Sequence, residues 1–315
     1  MAAGLVAVGL ASGIFRFFYF LSCLPVVLIF LKDGWKSAVL AMTVLALLVA
    51  VMVDWFFAGS YVLVFGGITA ALCLAMKRGW SAFRTVALSS GVSVILMLAW
   101  VIAAGAFLDV HPVRILKGEM RRSANAIMEA YRNEKSPVLG KSITFSEEEL
   151  AKLELDMRGM VGFVERALPS CGVILSILGV GLAYFTAVKV FPRYGVKVNP
   201  FPPFSLWRPK EEVVWGLIVG GILYFAGMYG GKEVLRNTGF NIGIFFLSLY
   251  FVSGMAIASY FFSRYGIPAF LRAAGYILLV FQYVLVMGVG LIDVWFNFRR
   301  RMSGLERSKD AGNTT

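Results

Sequence analysis

The stretch that decides the fold is NTGFNIGIFFLSLYFVSGMAIASYFFSRYGIPAFLRAAGYILLVFQYVLVMGVGLIDVWFNFRRR, residues 237–301. Two apolar runs flank the short turn SRYGIP, and each run is at least as long as the roughly 20 residues that a helix needs to cross the hydrocarbon core of a bilayer. The second run ends at the basic cluster Arg299, Arg300 and Arg301. Such a pair of runs predicts two membrane-spanning helices.

The composition of the whole chain agrees with a membrane protein. Of its 315 residues, 59% are hydrophobic and 15% are charged, whereas soluble domains average about 25% charged residues. The formal net charge of +12 lies mostly in short loops and in the tail. We therefore expect the lipid bilayer, with its anionic headgroups, as the partner of these charges, and we expect no nucleic acid.

The apolar runs predict an all-α, polytopic bundle of about eight transmembrane helices. The predicted spans are Phe15–Leu31, Lys36–Trp55, Ala58–Met76, Ala82–Phe107, Leu168–Val190, a run ending near Tyr229, Asn237–Phe262 and Pro268–Phe298. Arg16 interrupts the first apolar run, and an arginine at the centre of a spanning helix is costly. Residues 1–15 are therefore expected to form either a partial or interfacial helix or one arm of a short helical hairpin.

The domain organisation follows from these spans. Residues 1–108 hold the first four spans, and residues 167–301 hold the last four. Between them, residues 109–166 form one charged, mostly helical insert outside the membrane. Five prolines make residues 191–210 a loop within the C-terminal half, and the polar tail, residues 302–315, is expected to be disordered.

The insert contains two helix patterns. The first opens at Pro112 and repeats apolar residues at spacings of three and four. Its leading basic residues are Arg114, Lys117, Arg121 and Arg122. This helix lies either on the membrane surface or on its own protein, and both alternatives remain open. The second helix begins with a capping box formed by Ser146 and Glu149, and it is expected to run on towards the fifth span.

The arginines at the end of the last span, Arg299, Arg300 and Arg301, are predicted to lie at the membrane surface. Under the positive-inside rule, this cluster places the C-terminus in the cytoplasm. With eight spans, however, basic residues near 32–36, 77–84 and 193–210 would then lie outside. The orientation therefore rests on the density of the terminal cluster.

Polar residues within the last two spans form the candidate ligand site. They are Asn241, Ser248, Gln282, Asp293 and Asn297. At about 100° per residue, the first two fall on one face of their helix and the other three on one face of the next. Two interpretations remain open, namely hydrogen bonds between helices and a polar cavity for a small molecule. Asp293 also lies close enough to the arginine cluster to pair with it.

The sequence contains no motif for catalysis or metal binding. There is a single histidine, His111, and Cys23, Cys73 and Cys171 lack the spacing of metal ligands. The phosphate-binding pattern GxxxxGK[ST] is absent, so the chain encodes no ATPase of this type. We therefore expect no enzymatic activity, no cofactor and no metal site.

Two segments resemble a known family. The segment PPFSLWRPKEEVVW, residues 202–215, and the ending GLIDVWFNFRRR, residues 290–301, are similar to the YybS-like family of uncharacterised bacterial membrane proteins. The resemblance implies a multi-pass protein of the bacterial cytoplasmic (inner) membrane. It also implies a distant likeness to the substrate-binding subunits of energy-coupling-factor vitamin transporters. It supplies no catalytic residue.

The sequence is compatible with three functions. The predicted one is a transporter-like subunit that binds a small molecule and depends on an external ATPase or another membrane subunit. The alternative is a scaffold or regulator that acts through the charged insert. An intramembrane enzyme comes last, because the sequence offers neither an activated nucleophile nor a metal set.

Overall fold

The structure is a computed structural model that describes residues 19–52, 55–107, 112–132 and 146–299. These residues are predominantly helical and contain no strand, which confirms the all-α prediction. The predicted arrangements of residues 1–15 and of the tail 302–315 lie outside the described residues, as do Arg300 and Arg301.

The first half of the chain forms apolar helices. They are α1 (Cys23–Asp33), α2 (Trp35–Met52), α3 (Trp55–Tyr61), α4 (Gly67–Lys77) and α5 (Ala82–Phe107). A π-helical turn, Val62–Gly66, joins α3 to α4, so that residues 58–77 form one apolar helix long enough to span. The bounds of α5 are those predicted from its hydropathy.

The second half contains longer and more varied helices. They are α6 (Pro112–Arg132), α7 (Glu147–Val190), α8 (Val213–Tyr229), α9 (Glu233–Arg264), α10 (Ala269–Phe281) and α11 (Tyr283–Phe296). Between α7 and α8 the chain forms only short 3-10 turns, Phe191–Tyr194 and Phe204–Leu206, which agrees with the loop predicted from its prolines.

Fewer helices than the predicted eight are long and apolar enough to span within the described residues. Among the described residues, five helices are long and apolar enough to cross a membrane, and α10 with α11 makes a sixth if the bent pair is one span. The difference lies in helix length. Within the described residues α1 has 11 residues and α8 has 17, so both are shorter than the roughly 20 residues of a typical span. Part of the predicted first span, residues 15–18, lies outside the described residues.

Helix α7 joins the insert to the membrane. It runs for 44 residues without interruption and keeps Pro169 inside it. The capping box at its start is present, because the Ser146 hydroxyl accepts from the Glu149 N–H and the Glu149 carboxylate accepts from the Ser146 N–H. The boundary predicted at 166/167 therefore falls inside this helix, which continues from the insert into the next apolar segment, as expected.

The chain divides into two compact units, and the division falls within the proline-rich loop. The first unit contains the described residues up to Leu168 together with Gly172–Pro200. In it α4 packs against α5, and α1 packs against α2 and α4. The second unit contains Pro169–Cys171 and the chain from Phe201 onwards, with α9 packed against both α8 and α11.

Glycines allow α9 its close contacts in the second unit. A Cβ atom added to Gly239 would meet the backbone nitrogen of Tyr224 on α8, and one added to Gly290 on α11 would meet the carbonyl oxygen of Tyr250. Gly216 and Gly220 of α8 serve the same purpose, because these glycines face Phe246 and Ile242 of α9. Small residues thus bring the helix backbones together, as they do in many membrane proteins.

Candidate functional site

Asn241 and Ser248, the two candidate ligand-binding residues of α9, form hydrogen bonds with backbone groups. The Asn241 side-chain nitrogen donates to the Asn237 carbonyl at 2.8 Å, and its oxygen accepts the Ser170 backbone N–H at 2.9 Å. The Ser248 hydroxyl donates to the Phe245 carbonyl of its own helix at 2.7 Å. The Asn241 side chain therefore links α9 to α7 at Ser170, the residue that follows Pro169.

Gln282 lies at a break and not inside a spanning helix. The last span was predicted to be continuous, but α10 and α11 meet there at an angle of 95°. Gln282 has φ −95° and ψ 34°, outside helical values, and its side chain is exposed. Neither proline nor glycine stands within three residues of it, so the sequence carries none of the usual signals of a kink.

Asp293 and Arg299 form a buried ion pair. The Asp293 side chain is fully buried, and one carboxylate oxygen accepts from Arg299 Nη2 at 3.2 Å. Its other oxygen accepts the Phe298 backbone N–H at 2.8 Å. This arrangement confirms the expectation that Asp293 lies near enough to the arginines to pair with one of them.

The same arginine donates hydrogen bonds to part of the proline-rich loop, residues 201–208, which we call the strap. Arg299 Nη1 donates to the Ser205 carbonyl at 2.6 Å and to the Trp207 carbonyl at 3.1 Å. From the strap, Arg208 Nη2 donates to the Asp293 and Val294 carbonyls at 3.2 and 2.8 Å. Arg208 thus caps the C-terminal end of α11, where carbonyl groups attract cations, while Arg299 joins the Asp293 side chain to the strap.

Asn297 ends α11. Its backbone adopts the left-handed conformation, with φ 46° and ψ 59°, and its N–H donates to the Asp293 carbonyl at 3.0 Å. Asparagine tolerates this conformation better than most residues, which makes it a common helix terminator. Of the three residues assigned to one stripe, only Asp293 therefore lies within a helix. Asp293 and Asn297 therefore lie at the C-terminal end of α11, whereas Gln282 precedes its N-terminal end.

The insert forms the second candidate site, a groove between α6 and the first part of α7. The groove has a volume of about 830 Å³. Its α6 wall runs from Arg121 to Glu129, and its α7 wall runs from Glu154 to Glu165. Arg121 donates to both carboxylate oxygens of Glu165, at 2.5 and 2.8 Å. These bonds lower the pKa of the Glu165 carboxyl.

The predicted membrane-surface residues of α6 differ in their surroundings. Arg121 faces the groove, whereas Arg122 pairs with Glu119 at 2.7 Å on the outer surface. Arg114 is exposed in the first turns, beside the exposed Val113, and Lys117 is partly covered. Further along the helix Ala124 is buried. The start of α6 is therefore exposed, whereas Ala124 in the lining of the groove is covered.

Sequence reasoning missed a polar contact in the first unit. Ser93 of α5 donates to Ser176 of α7 at 3.4 Å, and both side chains are buried. Ser89 and Ser90 are buried on α5 as well. The signal was present as the segment SSGVS, residues 89–93, because hydroxyls within a spanning helix usually seek a partner. The strap was also missed as a partner of Asp293.

Comparison with known proteins identifies a family for this chain. No curated protein and no solved structure shows significant similarity to the chain. The model of one protein family, described as "Predicted membrane protein (DUF2232)", matches residues 1–294. The several long apolar helices agree with that description. The chain thus belongs to this family of predicted multi-pass membrane proteins, whose function is unknown.

Proposed function

We propose that the chain is a transporter-like membrane subunit that binds a small polar molecule. The observation that carries this proposal is the 95° break between α10 and α11. At membrane depth, irregular backbone occurs where protein covers it or where it lines a water-filled cavity. Discontinuous helices hold the substrate sites of many secondary transporters.

The break also supplies groups that bind polar ligands. The side-chain amide of Gln282 is exposed there and has both donor and acceptor atoms. Helix α11 begins at Tyr283, so its first turn presents backbone N–H groups and the positive end of the helix dipole. This combination favours a molecule that carries a carboxylate or another oxygen acceptor.

The remaining parts of the proposal come from the sequence. No phosphate-binding motif is encoded, so ATP-driven transport would require an external ATPase subunit. The arginine cluster supports a cytoplasmic C-terminus. The resemblance to the YybS-like family supports the bacterial cytoplasmic membrane and a relation to energy-coupling-factor subunits. In this proposal the chain itself is not an enzyme.

The test is to identify what the intact chain retains. The protein is extracted in nanodiscs of its own lipids, and native mass spectrometry identifies any bound small molecule. We expect Gln282→Leu to lose the retained molecule, because the variant removes the amide from the break. The control is Ser248→Ala, since that hydroxyl is bonded within its own helix. Equal retention by Gln282→Leu and the wild type would refute the assignment.

The groove between α6 and α7 favours a second function, that of a scaffold or regulator. It is a cavity of about 830 Å³ outside the apolar spans and carries charges of both signs. Deleting residues 114–141 removes its α6 wall. If scaffolding is the function, this deletion abolishes co-purification of partner proteins while the rest of the chain still inserts into the membrane.

A further inference from the structure

Helix α10 runs across the direction of its two neighbours. Helix α9 has 32 residues and is long and apolar enough to cross a bilayer. A Cβ atom added to Gly254 of α9 would meet the Val286 carbonyl of α11. One added to Gly290, four residues later on α11, would meet the Tyr250 carbonyl, four residues earlier on α9. Helices α9 and α11 are therefore antiparallel neighbours, and α10 meets α11 at 95°.

One face of α10 is covered by its own protein. A Cβ atom added to Gly275 would meet the ring of Phe262 on α9, and the ring of Tyr276 packs on the same phenylalanine at 5.2 Å between centroids. Arg272 lies three residues before Gly275, on the same side of the helix, and donates to the Ile267 carbonyl. Helix α9 ends two residues after Phe262. Helix α10 therefore lies at the level of the last turn of α9.

The opposite side of α10 is exposed and apolar. Its large side chains are 51–78% exposed, and they are Phe270, Leu271, Ile277, Leu278, Val280 and Phe281. At 100° per residue, they extend over about 180° of the helix circumference. A helix at the boundary between lipid and water carries polar residues on the side that faces water. Because all the exposed residues of α10 are apolar, its whole exposed side fits hydrocarbon and no part of it fits water.

We propose that α10 is a re-entrant helix that lies in the plane of the bilayer, below the headgroups, with lipid acyl chains covering its exposed side. Helix interfaces in membranes use small residues for close approach, as α9 does with Gly254. The one glycine of α10, Gly275, lies on its covered face, and its one charged residue, Arg272, is bonded to its own protein. The exposed side continues onto α11, where Val284 and Leu285 are 65% and 66% exposed. It thus has the character of a lipid-facing surface and not of an interface with another protein.

The length of α11 agrees with this placement. With 14 residues, α11 extends over about 21 Å, which is less than the roughly 30 Å of the hydrocarbon core. A helix that lies in the bilayer plane adds its diameter of about 10 Å, so α10 and α11 together match the thickness of the core. In one straight span, the 13 residues of α10 would raise the total length to about 40 Å, more than the core requires.

Spin labels measure the depth of both helices in the bilayer. Leu271 and Leu278 lie seven residues apart on α10. Leu285 and Ile292 form the matched control pair on α11, and all four side chains are exposed. Each residue is changed to cysteine in a chain whose native cysteines are replaced by alanine, labelled with a nitroxide and reconstituted in vesicles of phosphatidylcholine and phosphatidylglycerol. Seven residues rise about 10 Å along a helix axis. We expect the depths of Leu271→Cys and Leu278→Cys to differ by less than about 5 Å, and those of the control pair to differ by about 10 Å.

The same labels distinguish this placement from a bent span and from a protein interface. A depth difference above about 5 Å on α10, or below about 5 Å on α11, would overturn the proposal, because α10 would then not lie in the plane beside a spanning α11. A low collision rate with dissolved oxygen at both α10 labels would overturn it as well, since protein and not lipid would cover this side.

A second measurement needs no substitution. A lipid-soluble carbene reagent is activated in vesicles of the same composition that hold the wild-type chain, and mass spectrometry locates the labelled residues. We expect labelling of residues 270–281 as well as of the exposed residues of α11. Labelling of α11 without labelling of α10 would refute the contact with lipid.

Discussion

The buried pair of Asp293 and Arg299 gives the most quantitative prediction. The perturbation is Arg299→Gln, which removes the positive charge and leaves the Asp293 carboxylate buried. Asp293 is fully buried, and the Arg299 side chain is 11% exposed. Removing one partner of a buried ion pair costs about 3–5 kcal/mol, because the other charge remains without compensation. We expect Arg299→Gln to lie in the upper part of this range.

The reciprocal variant should cost less. After Arg299→Gln, Asp293 keeps one described donor, the Phe298 N–H. After Asp293→Asn, Arg299 still donates to two strap carbonyls, those of Ser205 and Trp207. Because the guanidinium retains more of its bonds than the carboxylate, Asp293→Asn should destabilise by about 3 kcal/mol, near the lower limit for such pairs.

The assay is reversible unfolding in mixed detergent micelles, followed by tryptophan fluorescence. The double variant should cost about 1–3 kcal/mol less than the sum of the two single variants, since the two groups interact directly. Arg122→Gln is the matched control, because its pair with Glu119 is 78% and 59% exposed and such surface pairs contribute about 0–1 kcal/mol. If Arg299→Gln and Arg122→Gln destabilise equally, Asp293 does not depend on Arg299 and the reasoning is wrong.

Three further outcomes follow from described contacts. Gly239→Ala should destabilise the protein by about 1–3 kcal/mol, because the added Cβ would meet the backbone of α8. Gly243→Ala is the control and should not destabilise it, because a Cβ added there meets no atom within 4 Å. Equal unfolding curves for the two variants would contradict this prediction. Asn241→Leu should cost about 0.5–1.5 kcal/mol through its lost bond to the α7 backbone, measured in the same unfolding assay. Arg121 lowers the pKa of the Glu165 carboxyl, so the stability from this pair is complete above the unfolded pKa of about 4.3 and is lost as pH falls through the lower folded pKa. The protection factors of the α6 amides, which correct the exchange rate for its intrinsic pH dependence, should fall there, and unchanged protection factors would refute the prediction.

Local signals predicted much of the secondary structure. Helix α6 begins at Pro112, and α7 begins after the capping box at Ser146. The length of an apolar run predicted α5, and prolines predicted the loop of residues 191–210. These features depend on interactions between residues a few positions apart, so they can be recognised without knowledge of the fold.

The candidate site was predicted less well. The polar residues of the last two helices were correctly recognised as unusual, but their partners are distant in sequence. Ser205 and Trp207 lie more than 90 residues from Arg299, whose guanidinium contacts their carbonyl groups. No proline or glycine close to Gln282 indicates the break in the sequence. Helical periodicity assumes a continuous helix, and the stripe of Gln282, Asp293 and Asn297 was drawn across the break and past the end of α11.

By itself the sequence determined the class of protein, because long apolar runs with few charges are stable as helices only when lipid surrounds them. It also determined where the two helices of the insert begin, since proline and the capping box act within a single helical turn. Only the tertiary structure decided that Asp293 is fully buried, that the strap is held at the end of α11, and that a groove lies between α6 and α7. Those features depend on contacts between side chains and carbonyl groups that are distant in sequence. Such groups meet only when the helices pack, so the spacing of residues along the chain does not predict their contacts.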